Sequence, residues 1–445
     1  MNNMKLYDSE ALREVAVIFF LSNFFFVLLM TSSISTATGQ NYDESQVPRY
    51  ELPDPLIFSN GKNVDSPAAW WEKRRGEILQ LFEDQVYGRS PEELPKSTIT
   101  VTEEKTEALD GLAHRKQVTV RFGDGESGPA LNLLVYLPLN SSGPVPLFVG
   151  LNFMGNQTVH PDPEIAITTS WTHGGVEEGI VDHYAQKESR GVKASRWPIE
   201  KILARGYGVA TAHCGDLDSD FDDGFANGIQ PLFFRPGQTK PKANQWQTIG
   251  AWSWGLSRAM DYFETEEQID ATRIVVLGHS RLGKTALWAG AQDPRFAMVI
   301  SNNSGCGGAA LSRRHFGETV AAINKSFPHW FCDNFKKYDN NEQALPIDQH
   351  MLISLIAPRP VYIASAAEDR WADPKGEFLA ALGADPVYRL LGTEGLPVAT
   401  MPQKDFPVQG TIGYHVRSGR HDITGYDWDR YLNFADRHLQ KSTPP

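Results

Sequence analysis

The chain has 445 residues, 41% hydrophobic and 22% charged, which is enough for a large buried core and unlike fibrous or disordered chains. Its formal net charge of −12 lacks the basic excess of nucleic-acid binders, so no nucleic-acid partner is expected. In chain order, the first feature is the apolar run VAVIFFLSNFFFVLLM at residues 15–30. It follows Lys5 and Arg13 and precedes the small, polar TSSISTATGQ. The run is short for a membrane span, and no basic stop-transfer cluster follows it. Residues 1–39 are therefore expected to be a signal peptide cut after Gly39. The mature protein is then secreted or periplasmic and free of the membrane. That location permits disulfides, but three cysteines allow at most one pair, and Cys306 with Cys332 is the pair expected.

Residues 40–62 are rich in Pro and Asp and read as an extended lead-in. The stretch 68–88 then sets Ile78, Leu79, Leu81, Phe82 and Val86 at helical spacing. Residues 40–95 are expected to form an N-terminal extension ahead of a catalytic domain over 96–445. STITVTEE, RKQVTVRFGD and ALNLLVYLPL alternate as antiparallel strands do. From PVPLFVGLNF onward, short apolar strands alternate with helices such as TIGAWSWGLSRAMDYFETE, KTALWAGAQD and the last, YDWDRYLNFADRHLQ. This order predicts the α/β class: a three-layer sandwich, with a mostly parallel sheet and helices on both faces. Irregular stretches at about 155–200 and 216–246 are expected to be insertions framing a substrate cleft.

One strand–turn–helix, RIVVLGHSRLGKTALWAG, satisfies two motifs. Gly278 to Thr285 fits a phosphate-binding loop, while Ser280 sits in a nucleophile elbow whose last glycine, Gly283, comes one place late. The phosphate reading lacks its partner, because the next strand, FAMVISNN, ends in Ser and Asn where a metal-binding carboxylate belongs. The serine reading finds its partners in the order acid, then histidine. Asp369 follows the strand PVYIASAAED, with Glu368 beside it as the alternative, and His421 lies on a glycine-flanked loop before the last helix. Arg281 and Lys284 supply fixed positive charge for a developing oxyanion and a product carboxylate. No H-E-x-x-H spacing occurs, so neither a metal nor another cofactor is expected. FPHWF places Trp330 or His329 at a cleft rim or in a packed aromatic cluster. His173 and His183 of the first insertion could touch a polymer.

With G-H-S-R-L-G-K at residues 278–284, the chain resembles the glucuronoyl esterases of carbohydrate esterase family 15. SGCGG, RRHFGE, FPHWF, AEDRWADP and GRHD extend the resemblance from about residue 65 to the C-terminus. It is closest to the bacterial branch. Fungal members have cysteines directly before the serine and directly after the histidine, where this chain has His279 and Asp422. The resemblance implies an α/β-hydrolase fold and a metal-free serine esterase for (4-O-methyl-)glucuronate esters that join glucuronoxylan to lignin, and a monomer is expected. It implies Ser280 as nucleophile, His421 as base, Arg281 on the oxyanion, and Lys284, Glu318 and Trp371 on the glucuronoyl ring. Fungal members carry their catalytic Glu where this chain has Asn303, so Asp369 is expected to take its place. The alternatives are another carbohydrate esterase, such as a xylan deacetylase, or a non-catalytic glycan-binding protein.

Overall fold

Alternating Thr, Glu and Val residues make β1 (Ser97–Ala108) a largely exposed edge strand, and its charged side chains keep that edge from pairing further. It pairs antiparallel with β2 (Ala113–Phe122), which pairs with β3 (Ala130–Pro138). The computed structural model describes residues 40–125 and 128–439, so the apolar run assigned to a signal peptide lies outside it. Next comes β4 (Val145–Asn152), and within the first insertion a hairpin of β5 (Ile180–Val181) and β6 (Tyr184–Ala185). β7 (Gly208–His213), β8 (Ile269–His279), β9 (Met298–Asn302), β10 (Val361–Ala366) and β12 (Ile412–Arg417) lie parallel with β4, and β11 (Val408–Gln409) closes the far edge. The ten-stranded order is β1-β2-β3-β7-β4-β8-β9-β10-β12-β11, the mostly parallel sheet expected.

The central strands are apolar on both faces, as strands covered by helices must be. Ile274 and Val276 of β8 join one core with Trp252, Trp288, Met351 and Phe378, from the helices Thr248–Phe263, Arg281–Gln292, Gln349–Ser354 and Pro374–Leu390. Val275 and Leu277 join the opposite core with Ile202, Trp428 and Phe434, from the helices Ile199–Ala204 and Gly425–Leu439. The result is three layers. The stretch 67–87 is helical throughout, with two π turns, and its Tyr87 ring stacks on Trp288 at 4.5 Å, beneath the helix that follows Ser280.

The expected disulfide is absent: Cys214, Cys306 and Cys332 are all free, buried thiols. Cys332 packs near the Asp84 carbonyl, and burial pushes its thiol up to about 12. Cys306 lies in the turn after β9, beside Lys284. Both behave as small apolar core residues rather than as a bridge. Among the described residues no helix is long and apolar enough to cross a membrane.

Candidate active site

The carboxyl ends of the parallel strands carry the site, as open α/β sheets favour. Ser280 stands between β8 and its helix with φ 60° and ψ −129°, a strained conformation for a residue with a side chain. The turn is tight enough that a Cβ on Gly278 would lie 1.9 Å from the Leu282 carbonyl oxygen, so only glycine fits there. The Ser280 amide donates to the Asn302 carbonyl at 2.9 Å, which fixes the turn to β9. The helix begins at Arg281, and the Gly283 and Lys284 amides donate to the Ser280 carbonyl at 2.9 Å and 3.3 Å, which closes its first turn on the serine. The phosphate-loop reading fails on its lysine. The Lys284 ammonium is buried, donating to the carbonyls of Ser304 at 2.6 Å and Cys306 at 2.5 Å.

His421 Nδ1 donates to Asp369 Oδ2 at 2.5 Å, which leaves Nε2 as the ring nitrogen not engaged by the carboxylate. The imidazole is 40% exposed and the carboxylate 5%, so the acid is buried behind its histidine. Burial alone would raise the Asp369 pKa. The His421 ring, the Asn303 side chain and the Ala372 amide outweigh it and hold the group below its ordinary value. Asn303 donates through Nδ2 to the same Asp369 oxygen at 2.9 Å. Glu368, the alternative acid, is exposed, and its carboxylate pairs with Arg420 at 3.7 Å.

The His421 loop is anchored from below. Arg417 donates to the carbonyls of Ser418 at 3.0 Å, Arg420 at 3.0 Å and Asp422 at 2.7 Å, and pairs with buried Asp427 through Nε. Its other link is to the serine turn. The His279 and His421 rings lie 4.6 Å apart, and His279 Nδ1 donates to Asn302 Oδ1 at 2.6 Å. Arg196 pairs with Asp422 at 2.6 Å. These contacts occupy the positions where the fungal pattern has its two cysteines.

Ser280, Arg281, Lys284, Glu318, Asp369, Trp371 and His421 all line one open cleft of about 320 Å³, together with Asn303 and Trp330. That volume suits a single sugar ring. Glu318 lies 3.5 Å from the Lys284 ammonium, yet burial keeps its pKa raised. Trp371 is exposed at the rim, and Trp330 is buried along the wall. FPHWF is thus the packed cluster rather than the rim, with Trp330 stacked on Phe327 at 3.7 Å while lining the cleft.

Three side chains escaped the sequence reading: Asp220, Arg417 and Glu377. Glu377, on the Pro374–Leu390 helix, accepts the Ser304 amide at 2.8 Å, the Gly305 amide at 3.0 Å and the Ser365 hydroxyl at 2.5 Å. Asp220 and Glu377 act through contacts distant in sequence, whereas Arg417 holds its own loop and a carboxylate ten residues on.

Sheet order, strained serine turn and downstream histidine define an α/β-hydrolase. A family model of fungal glucuronyl esterases matches residues 241–392. A carbohydrate esterase designated MZ0003, from an unknown prokaryotic organism, is 56% identical over 422 residues, covering 93% of this chain and 97% of that protein. Among solved structures, a promiscuous CE15 esterase from a marine bacterial metagenome superposes with TM-score 0.85 at 57% identity, over 90% of this chain and all of that one. The glucuronoyl esterase of Solibacter usitatus gives TM-score 0.85 at 47% identity, over 89% of this chain and all of that one. The chain belongs to carbohydrate esterase family 15. It is a glucuronoyl esterase, a carboxylic ester hydrolase.

Proposed function

We propose that the enzyme cleaves esters of (4-O-methyl-)glucuronic acid, including those joining glucuronoxylan to lignin alcohols, through a Ser280–His421–Asp369 triad. The observation that carries this reading is the short His421–Asp369 hydrogen bond in the cleft that also holds Ser280. His421 Nε2 removes the proton as Ser280 Oγ attacks the uronate carbonyl carbon. The oxyanion is met by the Arg281 side chain and the first-turn amide. The tetrahedral intermediate collapses with cleavage of the bond to the alcohol oxygen, which takes the proton from His421. Water, deprotonated by the same histidine, then releases glucuronate from Ser280.

Lys284, Glu318 and Trp371 orient the sugar ring. A carboxylate accepts from ring hydroxyls, and an indole offers an apolar face and one donor. An acetyl group has no ring to meet these side chains, which favours the uronate over the deacetylase reading. With the apolar run at residues 15–30 read as an export signal, the substrate is met outside the cytoplasm.

The test is glucuronate release from benzyl glucuronate by the intact enzyme and by Ser280→Ala. Release lost in the variant supports the triad. Release that persists assigns the attack to another group, and cleavage of acetylated xylan in place of the uronate ester transfers the reading to a deacetylase.

A further inference from the structure

We infer that Asp220, in the second insertion, is the positioning residue that aims the Arg281 guanidinium at the oxyanion. The inference rests on the assignment of Arg281 above. Asp220 is buried, and its carboxylate collects donors from three separate segments. Oδ2 pairs with Arg281 Nη1, and Oδ1 accepts Trp330 Nε1 at 2.7 Å and His329 Nε2 at 3.2 Å. His173 of the first insertion donates to the Asp220 main-chain carbonyl at 2.8 Å, and its Nε2 lies 3.5 Å from Oδ2. The pKa of Asp220 is displaced against burial, which raises it. The histidines, Arg281 and Trp330 outweigh that and hold the group far below the ordinary range.

Arg281 is fixed on its faces as well. Its guanidinium lies 4.7 Å from the Trp330 ring centroid, 5.2 Å from Phe327 and 5.9 Å from Phe153. Among the described residues, Asp220 is its one hydrogen-bonding partner, and its Nε has none. One edge of the fork is therefore clamped, and the rest is left for the cleft that Arg281 lines. A free arginine samples many rotamers, whereas a clamped, stacked one is already placed when negative charge develops. Trp330 holds both partners at once, since its ring face carries Arg281 while its N–H holds Asp220. Among the described residues neither insertion, expected to frame the cleft, lines it, so through this contact the two act on the chemistry from behind Arg281.

A double-mutant cycle on benzyl glucuronate, with kcat and KM measured separately, tests this. Asp220→Asn retains the acceptor for Trp330 and removes the charge that clamps Arg281. It is expected to lower kcat at least tenfold with KM changed less than about twofold. In an Arg281→Gln background the same change is expected to cost less than twofold, because the group it aims is gone. Equal losses in both backgrounds would make Asp220 a structural residue and overturn the inference, as would wild-type kcat in Asp220→Asn. If Arg281→Gln itself turns over at the wild-type rate, the oxyanion assignment fails instead. Should Asp220→Asn melt without cooperativity, Asp220→Glu, which displaces the carboxylate by one methylene, enters the same cycle with the same expectations.

Discussion

Ser280, His421 and Asp369 each end up where local chemistry puts them, on a turn just past a strand. Turn residues mark such positions in the sequence, so this part of the site was legible. Choosing between Asp369 and Glu368 was not, because neighbours in a turn point in different directions and only the fold shows which faces the histidine. Asp369→Asn keeps the shape but offers an amide to His421, so kcat is expected to fall by about 10³–10⁴. Asn303→Ala removes one donor from a carboxylate that keeps two others, and a loss of about tenfold or less is expected in the same assay. The reverse order would make Asn303 the more important group. Where the family resemblance had only a missing acid at Asn303, the structure has an amide that donates to Asp369, the acid proposed in its place. Asp220 was illegible for a different reason: it reaches Arg281 across 61 positions, and an acidic loop residue carries no sign of its partner.

Secondary elements were read well where burial repeats with a single period, as in β8 and the helices beside it. The Pro374–Leu390 helix shows the limit, because Pro386 lies inside it and by propensity should end it. Burial of Phe378, Ala380, Ala381, Ala384 and Val387 against the sheet outweighs that preference. The loop carrying His421 owes its position to a partner on the last helix, since Arg417 is held by Asp427. Asp427 is itself buried, which alone would raise its pKa, and His415, Arg417 and Thr424 hold it low. Arg417→Met would leave that carboxylate buried without its arginine partner. Stability should drop by about 3–5 kcal/mol, read as a lower denaturant midpoint, and kcat should fall as the histidine loop loosens. An unchanged midpoint would show that the anchor is dispensable.

At the scale of the whole molecule, one fully buried carboxyl sets a pH trend. Burial pushes Glu377 up to about 8, against hydrogen bonds from Ser365, Gly305 and Ser304 that act to lower it. The folded protein thus keeps this proton to about pH 8, while an unfolded chain releases it near 4.5. Between those values the folded state binds more protons, so the stability this group contributes falls as pH rises, by up to about 1.4 kcal/mol per pH unit. Glu377→Gln mimics the protonated form at every pH. Its melting temperature is expected to gain on that of the parent from pH 5 to 8 and then level off, and parallel curves would refute the shift. The His279–His421 stack and the Arg196–Asp422 ion pair bear on the enzyme's handling. The stack joins the serine turn to the histidine loop and the ion pair ties Asp422 to the first insertion, at the positions where the fungal pattern has two cysteines, and the three thiols of this chain stay unpaired. No oxidant is then needed to assemble the catalytic centre. The enzyme should fold in a reducing cytoplasm during production and keep its full rate in excess dithiothreitol.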